Sequence, residues 1–152
     1  MRITGGTGII TKPLQPAFQA KPGAAQNNMA VGSEVTIVLG TEIFDNNADF
    51  ASNSFTAPVT GKYRFDVSLR LGAVDQASEY YLTRLNTSNR NHDMIVDSNE
   101  FSSDLDYLAF TFSVLTDMDA NDTATLKFYQ NSGAAQTDVD QSNTRLSGNL
   151  VC

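Results

Sequence analysis

From Tyr63 to Leu71 the chain alternates without a miss: Tyr63, Phe65, Val67, Leu69 and Leu71 are separated by Arg64, Asp66, Ser68 and Arg70. A period of two, with bulky apolar groups on one side, dictates a β-strand with one buried and one polar face. Pro58 and Gly61 place a turn just ahead of it. Weaker copies of the pattern recur. Glu34–Leu39 sets Val35, Ile37 and Leu39 on one face with Val38 on the other, and Tyr107–Leu115 directs Leu108, Phe110, Phe112 and Val114 inward. Thr123–Gln130 does the same with Ala124, Leu126 and Phe128. Pro16–Ala20 and Met94–Val96 read as short strands, and Arg145–Val151 as the last one.

Ser78–Leu85 differs, because Tyr80 and Leu82 oppose Tyr81, Thr83 and Leu85. Apolar groups on both faces predict a strand covered on each side, or one face turned to another subunit. Between these runs lie polar segments rich in Asn, Asp and Gly: Lys21–Ala30, Asp45–Ser54 (interrupted by Phe50), Ser88–Asp93, Thr116–Asp122 and Asn131–Ser142. No stretch holds helical spacing. About eight strands joined by such loops predict an all-β chain, an antiparallel jelly-roll β-sandwich. Residues 1–14 are rich in Gly, Thr and Pro and read as an arm or linker before a domain over 15–152.

A chain of 152 residues is long enough to bury one real core. Its net charge of −7 and ten scattered basic residues argue against nucleic acid, which demands clustered Lys and Arg. The single cysteine, Cys152, has no internal partner and no CxxC metal pair. No apolar run reaches signal-peptide or membrane-span length, so neither secretion through its own signal nor membrane insertion is expected.

Chemical motifs are sparse. Asp117, Asp119 and Asn121 open as a calcium loop does, but Asp122 stands where Gly belongs and Phe128 where Glu belongs, which excludes an EF-hand. A solvated hairpin loop accounts for the run. Asp117, Asp119 and Asp122 stay the metal candidates, and a structural calcium remains open; no other cofactor is expected. The only histidine, His92, falls in the loop Ser88–Asp93, and no GxSxG elbow accompanies it. No catalytic residue is assigned, and the expectation is a protein that is not an enzyme.

Pro16-Ala17-Phe18, then Phe50, then Phe55-Thr56-Ala57-Pro58-Val59-Thr60-Gly61-Lys62-Tyr63-Arg64-Phe65, and finally Leu146-Ser147-Gly148-Asn149-Leu150-Val151 resemble the complement C1q-like globular head, which shares a trimeric jelly roll with the tumour necrosis factors. The likeness runs from about Gln15 to Cys152. The chain departs from many animal members in lacking a collagen-like stalk and in carrying Ala57 where they carry a cysteine. Its Asn- and Asp-rich texture is similar instead to C1q-like domains of structural proteins in tailed bacteriophages.

That resemblance implies a homotrimer, with Tyr80, Tyr81, Tyr107 and Tyr129 as interface candidates. It further implies a non-enzymatic virion protein, a fibre tip or host-attachment module whose loops Gly72–Ala77, Ser88–Asp93 and Asn131–Asn143 meet a host surface glycan or protein. The alternative is a capsid decoration protein held to the shell by its arm, through Met1, Arg2, Ile3, Ile9 and Ile10. Its partners in the virion are then a fibre shaft or the major capsid protein.

Overall fold

The strand that begins at Gly61 runs on to Val74 and lies inside a six-stranded sheet. The computed structural model describes residues 12–152 fully and, before them, the backbone of Arg2, Ile3, Ile10 and Thr11. Among the described residues there are fourteen strands and no helix. β1 (Arg2–Ile3) and β2 (Ile10–Thr11) pair with each other. Of the arm positions, Met1 and Ile9 lie outside the described residues.

The other strands build two antiparallel sheets. The first carries, in order, β11 (Leu105–Met118), β8 (Gly61–Val74), β14 (Arg145–Leu150), β3 (Ala17–Lys21) and β5 (Thr41–Asp45), with β13 (Asp138–Val139) also on β8. The second carries β10 (Asn91–Asp97), β9 (Tyr80–Thr87), β12 (Thr123–Asn131), β7 (Ser54–Thr56) and β6 (Phe50–Ala51), with β4 (Val35–Thr36) on β12. Their inner faces enclose one core that includes Phe18, Phe65, Leu69, Leu85, Phe110 and Phe128. The alternation of β8 has its cause there. Tyr63, Phe65, Val67, Leu69 and Leu71 are all buried, and the charged residues between them point out.

At one end of the sandwich the aromatics of four separate segments meet. The Phe18 ring stacks on Phe50 at 4.8 Å and on Phe55 at 5.0 Å, and Phe65 meets Phe55 edge-on at 5.6 Å. Offset and edge-to-face pairs of this kind each add about 0.5–1.5 kcal/mol beyond burial. Tyr63 joins the cluster and satisfies its hydroxyl by donating to the carbonyl of Val59 at 2.7 Å.

Several expectations need correction. Glu34–Leu39 is a ladder only at Val35 and Thr36. Beyond these, Ile37 and Leu39 still point into the core, but side chains take over the backbone: Gln26 brackets Val38 at 2.9 and 3.2 Å, and the Asn53 carbonyl accepts from the Leu39 N–H at 2.8 Å. β5 arises where no alternation is visible, because a bulge between Gln19 and Ala20 shifts its register and leaves Ile43 and Phe44 exposed. Phe50–Ala51, within the stretch Asp45–Ser54 that reads as a polar loop, turns back to pair with Ser54 and Phe55 in a short hairpin. His92 is not a loop residue: it lies in β10 opposite Leu85 and is half-buried.

Candidate functional site

Chain direction assigns the loops to two ends. Gly61 of β8 pairs with Met118, and Tyr63 pairs with Leu150, so the last strand finishes beside the start of β8. Leu150 N–H donates to Pro16 at 3.0 Å, and the Gln15 amide donates to the Leu150 carbonyl at 2.6 Å. The entry and exit of the sandwich therefore share one end, the base. The turn after β9 lies at the base too, since Ser88 N–H donates to Thr123 and Asn89 reaches Asp122 at 3.0 Å. Ser88–Asp93 is thus separated from the other two predicted contact loops, which sit at the opposite tip.

The tip is tied together by buried polar groups. Asp75 is 6% exposed, and its carboxylate accepts from the N–H groups of Ala77, Ala134 and Ala135 at 2.8, 2.5 and 2.7 Å. Burial alone would raise its pKa, but these three N–H donors outweigh it and hold the carboxyl below the ordinary aspartate value. The Tyr81 hydroxyl donates to the Asp75 carbonyl at 2.9 Å and accepts from the Asp75 N–H at 2.8 Å. Ser78 and Thr137 stand within 3.0 and 3.3 Å of the same oxygen. Gln130 ties Ser78, Ala135 and Thr137 into the same network. Asp75–Glu79 and Ser132–Thr137 are therefore fixed against each other.

The four tyrosines do not share one surface. Tyr81 is fully buried and stacks on Phe128 at 6.2 Å, so it cannot reach a partner subunit; this corrects the interface expectation. Tyr80 and Tyr129 lie together, half-buried, on the outer face of the second sheet, with ring centroids 5.9 Å apart. Tyr107 stands alone on the outer face of the first sheet, 62% exposed, under the guanidinium of Arg70 at 4.7 Å, which Asp140 holds at 2.9 Å.

Beside Tyr107 the sandwich is open. β11 and β10 are the edge strands of the two sheets on the same side, and their inward residues are covered incompletely. Leu105, Leu108, Phe112, Val114, Met94 and Val96 are only partly buried against the core. Leu115, on the outer face of β11, is 63% exposed. His92 lines this lip, and its Nε2 is shielded from solvent with no hydrogen-bond partner. The periodicity of β11 shows its face but carries no sign that a lip stays open, which depends on the neighbour across the sandwich.

The acidic residues in and beside these loops hold turns or pair with a cation. Asp117 pairs with Arg90 at 2.7 Å. Asp122 caps the β11–β12 turn by accepting from the Asp119 N–H at 2.8 Å, with Asn121 in the left-handed region at φ 76°. Asp45 accepts from the N–H groups of Asp49 and Phe50 at 3.1 and 2.8 Å. Among the described residues, no three acidic, His or Cys side chains converge on a metal position.

No family model matches the chain, and no curated protein matches it in sequence. Solved structures match it in shape. The globular domain of zebrafish complement 1qA protein superposes with a TM-score of 0.64 at 16% identity, over 91% of this chain and 98% of that one. Murine APRIL superposes with a TM-score of 0.63 at 10% identity, over 90% and 99%. At such identities the likeness concerns architecture, and in architecture this chain is a jelly-roll sandwich of the C1q and tumour necrosis factor type.

Proposed function

We propose that the chain is a non-enzymatic recognition head that works as a homotrimer, its subunits meeting along β11. The open lip carries this reading. Phe112, Val114, Leu108, Met94 and Val96 are apolar side chains left partly uncovered along these two edge strands, with Tyr107 and Leu115 exposed on the outer face of β11, and a second copy packed there would complete their burial. The opposite edge of the first sheet carries a different apolar pair, Ile43 and Phe44 on β5. Two unlike patches at opposite edges suit a head-to-tail contact, which closes into a ring when the rotation permits. An obligate interface of this type buries roughly 2,000–5,000 Å2.

The sequence resemblance favours a bacteriophage virion as the setting for this head, with the head as the tip of a fibre joined at the base. The geometry supports that orientation, since Gln15 and Leu150 share the base while Asp75–Glu79 and Ser132–Thr137 stand at the far end, free to meet a host surface. A rigid platform with short polar loops at its far end suits recognition. Imaging of intact particles with an antibody against the head tests the placement. Label at the fibre ends is expected; label spread over the capsid shell would return the decoration reading in its place.

A further inference from the structure

The outer face of the second sheet carries a row of residues that the lip does not use. Ile95 on β10, Leu82 on β9 and Tyr129 on β12 stand directly across from one another. Tyr80 lies diagonally to Tyr129, the two rings tilted by 35°. Leu82 points outward yet is only 8% exposed, as the floor of a depression between the rings. One step along each strand the chemistry changes. Asp93, Arg84 and Lys127 are in register across the sheet, and Glu34 joins them from just before β4. Arg84 grips Asp93 through two bonds of 2.7 Å and Glu34 through one of 2.5 Å, and Lys127 holds the other Glu34 oxygen at 2.7 Å.

We propose that the depression framed by Tyr80, Leu82, Tyr129, Arg84 and Glu34 binds one neutral hexopyranose unit of a surface polysaccharide. Its volume of about 230 Å3 lies below the range of drug-sized sites and is enough to seat one sugar ring. Its floor and one wall are aromatic and aliphatic, the surface on which the C–H face of a pyranose stacks. Its other wall is polar and already ordered. Arg84 spends three of its five N–H groups on Asp93 and Glu34, leaving two for hydroxyl oxygens, and both Glu34 oxygens keep a lone pair for hydroxyl hydrogens.

Two cations and two anions cancel in that wall. The site offers donors and acceptors without net charge, which favours a neutral ring over an acidic sugar, a phosphate or a cationic peptide. Because the ion pairs fix the side chains beforehand, little conformational freedom is lost on binding. The site deepens the recognition reading and rests on it only for its use on a host surface; binding itself does not depend on the trimer.

Titration of the isotope-labelled full chain with methyl glycosides of glucose, galactose, mannose and N-acetylglucosamine tests it, with N-acetylneuraminic acid as the charged comparator. At least one neutral glycoside is expected to shift the amides of Tyr80, Leu82, Arg84 and Tyr129 at high millimolar concentration. Tyr129→Phe should retain the binding, while Tyr129→Ala, or Tyr80→Ser should the first variant fold poorly, should weaken it about tenfold. Silence from every neutral glycoside, shifts confined to the tip loops, or a response only to the acidic sugar would overturn the proposal. Sedimentation of the same samples reports the trimer separately, so the two readings fail independently.

Discussion

Gly148 lies flat against the ring of Phe18. A methyl group on its Cα would stand 2.7 Å from Cε1 of Phe18 and 2.7 Å from Cδ1 of Phe65. β14 runs between β3 and β8, and Gly148 is the cross-strand partner of both Phe18 and Phe65, so the two rings close over the only residue small enough to admit them. Gly148→Ala forces at least one ring off its rotamer. A loss of about 1–3 kcal/mol is expected, as for other overpacked cores, read as a lower denaturant midpoint with an unchanged m-value.

The Tyr81 hydroxyl is the hub of the tip. Tyr81→Phe keeps the stack on Phe128 but leaves the Asp75 backbone, Ser78 and Thr137 short of a partner. The cost should be about 1–3 kcal/mol. Hydrogen exchange should quicken at Asp75–Glu79 and Ser132–Thr137 while the aromatic cluster at the base stays protected. Uniform exchange changes would mean that the network does not act locally.

Two groups should make stability depend on pH, in separate windows. Burial, reinforced by the Arg90 charge, lowers the pKa of His92, so the folded state favours the neutral ring. That contribution is present above the ordinary histidine value of about 6.5 and is lost as pH falls through it towards the lowered folded value. Asp75 is also depressed, so its contribution is intact above the ordinary aspartate value of about 3.9 and disappears as pH falls further. Melting curves of His92→Gln should lose the first slope and those of Asp75→Asn the second. If both variants keep the parent profile, other groups control it.

Leu115 is exposed in the single chain and sits across the ladder from Arg64. Leu115→Asp, with the Arg64 guanidinium beside it, should therefore leave the fold intact by circular dichroism while weakening self-association at least about tenfold, because a hydrated carboxylate replaces apolar surface that the contact would bury. An unchanged mass would show that the outer face of β11 is not where copies meet.

How much of this was legible in the sequence differs by element. β8, β11, β12 and β14 could be read because each has one buried face, and burial enforces a period of two. β10 carries the same signal, with His92, Met94 and Val96 alternating against Asn91, Asp93, Ile95 and Asp97, but its polar members resemble a loop. β5 could not be read, since a bulge breaks its register, and β4 reads too long, as Glu34–Leu39, since the side chains of Gln26 and Asn53 replace a regular ladder beyond Thr36. Tyr81 reads as an interface candidate because both faces of β9 are apolar, and only the packing tells which one is the core. The motif residues Phe18, Phe50, Phe55, Phe65 and Gly148 converge on one aromatic cluster, so the resemblance they carry concerns the fold. The grouping of Tyr80 and Tyr129 with Arg84 and Glu34 depends on cross-strand register, which no single segment records.

The most direct test of the account is sedimentation equilibrium of the purified full chain at micromolar concentration. Completion of the β10–β11 lip by neighbouring copies predicts a single species of three times the 16.5 kDa chain mass. A folded species that stays at 16.5 kDa across the accessible concentration range would contradict it.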